Sequence, residues 1–324
     1  MKETVNIGHL FVTPGSKGTG FLEISNRADG STVGLPVIVI NGSGEGPTLC
    51  LDSGNHGDEY EGTEAIITVA KKIDPSELNG TLICVPVLNF VAFEAGVRVN
   101  PFEYYKIDMN RSYPGNEDGW LTEQIAFKYF HDIASRADYA ISFHGGGTYL
   151  SPCAYTVCQS SEFGSISEKS KELARFFGMR LISFPRFGGS FEREAAKRGI
   201  PAIIAEIGGH SDRYRHRQHY VELGEKGILN VMRYLGMLKG KAVAPEEQIL
   251  VQSVIVRSKR AGLWRPEIQA GEDVSKGDIL GKVFDFFGEE IECVRSPVDG
   301  IVTIRWDFPF IQAAGYAYFV GERL

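Results

Sequence analysis

The stretch Ser53–Glu64, SGNHGDEYEGTE, decides how this chain is read. An apolar run, Thr48–Leu51, leads into it, and Ala65, Ile66, Val69 and Ala70 follow it at helical spacing. The stretch therefore reads as the turn from a buried strand into an amphipathic helix. His56 and Glu59 stand three residues apart in that turn. An imidazole and a carboxylate so placed can converge on one cation. Zinc takes such ligands at about 2.0–2.2 Å, and its catalytic sites commonly combine three protein ligands with water. The plainer reading is a capped helix start, in which Asp58 and Glu61 are first-turn acids favoured by the helix dipole.

Outward from this turn, short apolar runs at Thr48–Asp52, Thr81–Val87, Tyr139–Phe143, Tyr155–Val157 and Ala202–Ala205 suit buried strands. Amphipathic segments at Gly62–Ile73, Leu121–Ala134, Glu162–Phe177 and Gln218–Leu238 alternate with them. That alternation predicts an α/β domain with a mainly parallel, mixed sheet flanked by helices. Residues 1–46 read as a β-rich approach, with strands in Val5–Val12, Gly20–Ser25 and Leu35–Ile40. After Lys239-Gly240-Lys241 the pattern changes to short strands separated by Gly, Pro and Asp turns. The expected division is a catalytic part over residues 1–242 and a smaller all-β module over 243–324.

A chain of 324 residues with 43% hydrophobic and 23% charged residues has ample material for a core. Its net charge of −7 argues against a nucleic-acid partner, which would call for a basic patch. No apolar run of spanning length points to a membrane, and the N-terminus lacks the pattern of a signal peptide. The five cysteines are scattered and odd in number, so they read as thiols in a reducing, cytoplasmic setting.

Ligand sites in parallel α/β sheets gather beyond the carboxyl ends of the strands. His56, Asn89, His144 and Glu206 each follow one of the expected strands, which puts all four on one rim. His144 lies in SFHGGG, where three glycines would leave room for a metal and substrate, and it is the expected third zinc ligand. Glu206 ends the nearly uncharged run Gly199–Ala205. A carboxylate there is costly to bury unless paired or near a metal, and it reads as a general base. The segment Asp108–Gly115, DMNRSYPG, offers Arg111 as a planar fork for a carboxylate, with the Asn110 amide beside it.

Four ordered blocks, GNHGDE at 54–59, the stretch from Asn89 through Arg98 to Gly115, FHGG at 143–146 and residues 187–209, resemble the succinylglutamate desuccinylase/aspartoacylase family. These proteins are relatives of the zinc carboxypeptidases, and the resemblance covers about residues 45–240. It implies a zinc-hydrolase α/β fold, one zinc ion per chain, and removal of an acyl group from a small N-acyl amino acid. By motif, His56, Glu59 and His144 look like the zinc ligands and Glu206 like the catalytic carboxylate. Arg98 resembles the arginine that polarises the scissile carbonyl, and Asn110 with Arg111 the pair that clamps the substrate carboxylate. The glycines after His144 look more like the diaminobutyrate-deacetylase branch than aspartoacylase. A peptide-cleaving zinc carboxypeptidase, or a non-catalytic binding protein on the same fold, would carry much of the same pattern.

The histidines His210, His216 and His219 match no single helix face and alternate with arginines, so they are expected in a solvated or substrate-gating loop. The C-terminal module, with GEDVSKGDILGKVFD and RSPVDGIV, resembles the biotinyl and lipoyl domains but has Phe287-Gly288-Glu289-Glu290 where those carry lysine. Covalent biotin or lipoate is therefore not expected. A cover over the cleft or a homo-oligomer contact are the two roles left open for it.

Overall fold

Alternation at period two starts the chain as strands: the hairpin β1 (Val5–Ile7) and β2 (Leu10–Val12), then β3 (Ser16–Asn26) antiparallel to β4 (Thr32–Asn41). Strand and helix then alternate through β5 (Gly44–Asp52), α1 (Glu61–Lys72), β6 (Asn79–Val85), α2 (Phe90–Ala95), α3 (Leu121–Lys128) and β7 (Tyr139–His144). The series continues with β8 (Leu150–Pro152), β9 (Tyr155–Cys158), α4 (Ser165–Phe177), β10 (Leu181–Phe184), α5 (Phe191–Lys197), β11 (Ala202–Glu206) and α6 (Arg213–Tyr234). This is a computed structural model; it describes residues 2–27, 29–159, 161–184, 188–209 and 213–324, with the backbone alone for 213–216.

The expected strands are all present. The α3 segment is shorter than its pattern, continuing past Lys128 as irregular helical turns to Arg136. The short β10, α2 and α5 carry too few residues for a periodic signal.

Side-chain alternation along the strands divides the core in two. Leu49, Leu51, Leu82, Ile141, Phe143 and Ile203 face α1, α4 and α6 on one side. Cys50, Ile83, Val85 and Ala140 face α3 and α5 on the other. The sheet is thus covered on both faces, as parallel strands require. β5 lies between β6 and β7, β7 pairs with β11, and all of these pairings are parallel. β9 runs antiparallel to β11 and parallel to β10, which makes the sheet mixed.

Beyond α6 come β12 (Ile249–Arg257), β13 (Gly262–Pro266), β14 (Asp273–Val274), β15 (Ile279–Phe284), β16 (Glu290–Arg295), β17 (Gly300–Trp306), β18 (Phe310–Ile311) and β19 (Tyr316–Arg323). β13, β15, β16 and β18 form a separate four-stranded sheet. β12 pairs parallel with β10, and β17 pairs antiparallel with both β19 and β8. The large sheet therefore runs on through residue 243, in the stretch between α6 and β12, and an apolar cluster of Tyr155, Leu181, Val251 and Ile304 packs at the join. The turn from β15 to β16 carries the exposed side chains of Phe286 and Phe287. Among the described residues no helix is long and apolar enough to cross a membrane.

Candidate active site

The strand register builds the site. In the parallel pair β7 and β11, His144 lies opposite Glu206; in β5 and β7, Asp52 lies opposite Ser142. The chain leaves β5 into the segment that carries His56 and Glu59. Gly57 is required there, since a Cβ would stand 1.9 Å from the carbonyl carbon of Ala92. Its N–H donates to the Arg98 carbonyl at 3.3 Å, tying the His56–Glu59 turn to the loop that bears Arg98. Besides lining the site, where Gly145 and Gly146 leave the expected room, the glycines after His144 have a packing role. Added Cβ atoms at Gly145, Gly146 and Gly147 would meet the Ile207 carbonyl, the Leu150 carbonyl and the Asp58 carboxylate. They permit close packing of chain on chain.

His56, Glu59 and His144 meet, each 3–4% exposed. The Nδ1 atoms of the two imidazoles are 3.2 Å apart. Glu59 Oε1 lies 2.9 Å from Nδ1 of His56, and Oε2 lies 3.1 Å from Nδ1 of His144. The Gly145 N–H also donates to Oε2, at 3.1 Å. Two imidazole nitrogens and a carboxylate, all within 4.8 Å of one another, form a donor set suited to one divalent metal. Burial alone would raise the Glu59 carboxyl. The His56 charge and the hydrogen bonds from His144 and His56 outweigh it and hold the group well below the ordinary carboxylate range.

Asp108 had no assigned role in the sequence reading. Its Oδ1 lies 2.9 Å from Nε2 of His56, while its Oδ2 accepts from Arg98 at 2.9 Å. A carboxylate on the far nitrogen of a metal-facing imidazole fixes its tautomer and orientation. Arg98 reaches Glu59 Oε1 at 3.3 Å, so Arg98 closes a chain of charges through Asp108, His56 and Glu59. Asp108 also accepts from the Asn110 N–H at 2.9 Å, capping the turn that presents Asn110 and Arg111.

A cleft of about 560 Å³ opens from the cluster and takes in Arg98, Asn110, Arg111 and Glu206. The expected metal ligands, catalytic residues and carboxylate clamp, seven residues, therefore border one space. Asn110 Oδ1 accepts from the Phe191 N–H at 2.9 Å, so its Nδ2 is the group not used there. Burial raises the Glu206 carboxyl to about 7, opposed by His144 and reinforced by Glu59. Asn89 stands apart from the cleft, its side chain accepting from the Ala92 N–H to cap α2. Asp58 accepts from the Thr148 N–H at 2.7 Å. Glu61 opens α1, as its first-turn reading required.

Behind the cluster lies a buried polar knot that the sequence did not disclose. Asp52 accepts from Ser142 and Tyr129 hydroxyls, each at 2.6 Å, and from Asn55 Nδ2 at 3.0 Å. Tyr113, in DMNRSYPG, donates to Asn55 Oδ1 at 2.7 Å. Burial raises the Asp52 carboxyl to about 6, although these hydrogen bonds oppose it. The knot links the His56 turn to the Asn110–Arg111 turn.

The C-terminal strands supply a wall of the same cleft through Ser253, Ile304, Trp306, Tyr316 and Phe319. Tyr149, beyond the glycines, stacks on Trp306 with centroids 5.4 Å apart and an interplanar angle of 16°. The histidine cluster needs correction. His210 and the His216 side chain lie outside the described residues, and the chain from Arg213 onward is helix α6 where a loop was expected. His219 is exposed on that helix.

Comparison with known proteins bears on the family and the fold. The profile of the succinylglutamate desuccinylase/aspartoacylase catalytic domain matches residues 45–235. An N-alpha-acetyl-L-2,4-diaminobutyric acid deacetylase of Halomonas elongata is 29% identical over 299 residues, covering 88% of this chain and 86% of its own. The product-bound ectoine utilization protein EutE (DoeB) of Ruegeria pomeroyi superimposes with a TM-score of 0.86 at 29% identity, covering 94% of this chain and 95% of that one. A succinylglutamate desuccinylase/aspartoacylase of Rhodobacter sphaeroides has a TM-score of 0.86 at 25% identity, with 95% and 96% covered. This chain belongs to the succinylglutamate desuccinylase/aspartoacylase family of hydrolytic deacylases.

Proposed function

We propose that the chain is a zinc-dependent deacylase of small N-acyl amino acids, and that its substrate is an Nα-acetylated 2,4-diamino acid. The carrying observation is the His56–Glu59–His144 cluster at one end of a cleft that also holds Glu206 and Arg111. Similarity to the Halomonas deacetylase along most of both chains supports the acyl group and amino acid. A zinc ion held by the two imidazoles and Glu59 would lower the pKa of its water towards about 7 and act as a Lewis acid on the acyl oxygen.

The chain's own groups account for the remaining roles. Glu206, its proton affinity raised by burial, takes the proton of the attacking water and passes it to the departing amine. Arg98, held by Asp108, stabilises the oxyanion with a preorganised charge. Arg111 binds the substrate carboxylate with its planar fork, and the Asn110 amide adds a donor. Asp108 orients His56. The cleft wall from β17 and β19 limits the site to small substrates. All five cysteines are free thiols, which supports a reducing, cytoplasmic location.

The test is hydrolysis of a panel of N-acetyl amino acids, N-succinyl amino acids and dipeptides, with metal analysis of the purified protein. Turnover of the Nα-acetyl-diamino acid with about one zinc per chain is the expected result. Preference for dipeptides would make the chain a carboxypeptidase. No turnover of any substrate by the zinc-loaded protein would leave a binding protein.

A further inference from the structure

Glu192 takes no part in the chemistry above, yet it borders the cleft and is only 1% exposed. Its Oε1 accepts from the Ser190 hydroxyl and from Gln159 Nε2, both at 2.8 Å. Its Oε2 is buried with no hydrogen-bond partner among the described residues. The two bonds to Oε1 hold the carboxyl group in a fixed orientation. A buried carboxylate left half-satisfied is costly, and such groups in native structures call for an explanation. Among the described residues no lysine or arginine forms an ion pair with it. Arg98 and Arg111 line the same cleft, and the Arg111 charge acts on the Glu192 carboxyl without pairing with it, opposing the rise that burial causes.

We propose that Glu192 Oε2 receives the side-chain ammonium of the substrate, which makes Glu192 the residue that selects diamino acids. The inference rests on the deacylase reading and deepens it. An N-acyl diamino acid presents a carboxylate and an ammonium at two ends of a short chain, and beside the groups given to the metal and the chemistry the cleft wall carries Arg111 and Glu192, of opposite sign. The apolar Val157, Ile204 and Ile304 on the same cleft offer no competing polar partner. Negative charge from Glu192 also disfavours substrates with a second carboxylate, so selection works by repulsion as well as attraction.

The experiment compares wild type, Glu192→Gln and Glu192→Asp on Nα-acetyl-2,4-diaminobutyrate, Nα-acetylhomoserine and Nα-acetylaspartate. The amide of Glu192→Gln retains an acceptor for Ser190 and Gln159 but turns an N–H₂ group toward the ammonium. A charge-assisted hydrogen bond lost at this point lowers the kcat/KM ratio of the diamino over the hydroxy substrate by about 10- to 100-fold, through KM. Glu192→Asp keeps the charge and retains the sign of the preference. Calorimetry with 2,4-diaminobutyrate reads the same loss without turnover, and thermal unfolding verifies that each variant is folded. An unchanged ratio in Glu192→Gln, or a wild type that prefers acetylhomoserine, overturns the assignment of Glu192 while leaving the deacylase intact. Failure of the wild type on all three substrates overturns the reading as a deacetylase of N-acetyl amino acids and this inference with it.

Discussion

Asp108→Asn isolates the part of the site that positions the metal ligands. The aspartate makes two charge-assisted contacts, to His56 Nε2 and to Arg98, each 2.9 Å long. Burial alone would raise its carboxyl. The hydrogen bond and charge of His56, with the charge of Arg98, hold it well below the ordinary range. In the variant, Oδ1 still accepts from His56, but as a neutral acceptor of about half the strength. The other atom becomes an N–H₂ group facing the Arg98 guanidinium, donor against donor, so Arg98 is released. Loss of such an outer partner typically costs about 10- to 100-fold in metal affinity, or about 1.4–2.8 kcal/mol. Asparagine remains a good cap for the Asn110–Arg111 turn, so the variant should unfold within about 1 kcal/mol of wild type. The assay is zinc competition against a chromophoric chelator at neutral pH, alongside kcat/KM. Zinc affinity within about twofold of wild type, with the fold intact, would show that Asp108 does not orient His56 toward a metal.

His144→Ala removes one of three donors, so zinc retained after dialysis should fall well below one per chain; a variant that still holds one tightly refutes His144 as a ligand. Glu206→Gln should lower turnover by about 10²–10⁴-fold with zinc content unchanged, and near-normal rates would remove Glu206 from the mechanism. Because a base works only when ionised, and burial raises Glu206 to about 7, kcat/KM in wild type should fall as pH drops below about 7. A flat profile from about pH 5 to 8 would contradict that role. Arg111→Lys should cost about one to two decades of kcat/KM on the free-acid substrate and much less on its α-amide; equal losses on both would end the carboxylate clamp.

Much of this protein was readable before any coordinates. Short continuous apolar runs and period-3.6 segments are local properties of the chain, so the strands at Thr48–Asp52, Tyr139–Phe143 and Ala202–Ala205 and the helices between them were legible. The rule that polar residues after parallel strands share a rim brought His56, His144 and Glu206 together correctly. It also put Asn89 on that rim, where its N–H donates to the Gly54 carbonyl, but its side chain caps a helix of six residues, too short to show a period, and does not line the cleft.

What the chain alone determined is therefore the set of elements, the reactive residue types and the end of the sheet on which they stand. Tertiary structure decided the rest, because backbone hydrogen bonding is generic and does not name its partner strand. Only folding pairs β8 with β17 and β10 with β12, which sets Trp306 opposite Leu150 and brings Ser253 to the cleft. Asp108 reads as an ordinary loop acid until its carboxylate is seen between His56 and Arg98. Glu192 lies in the block of residues 187–209, where the sequence gives it no role. Its burial, and the oxygen left bare beside the cleft, arise from how α5 packs against β11 and cannot be written in the residue itself.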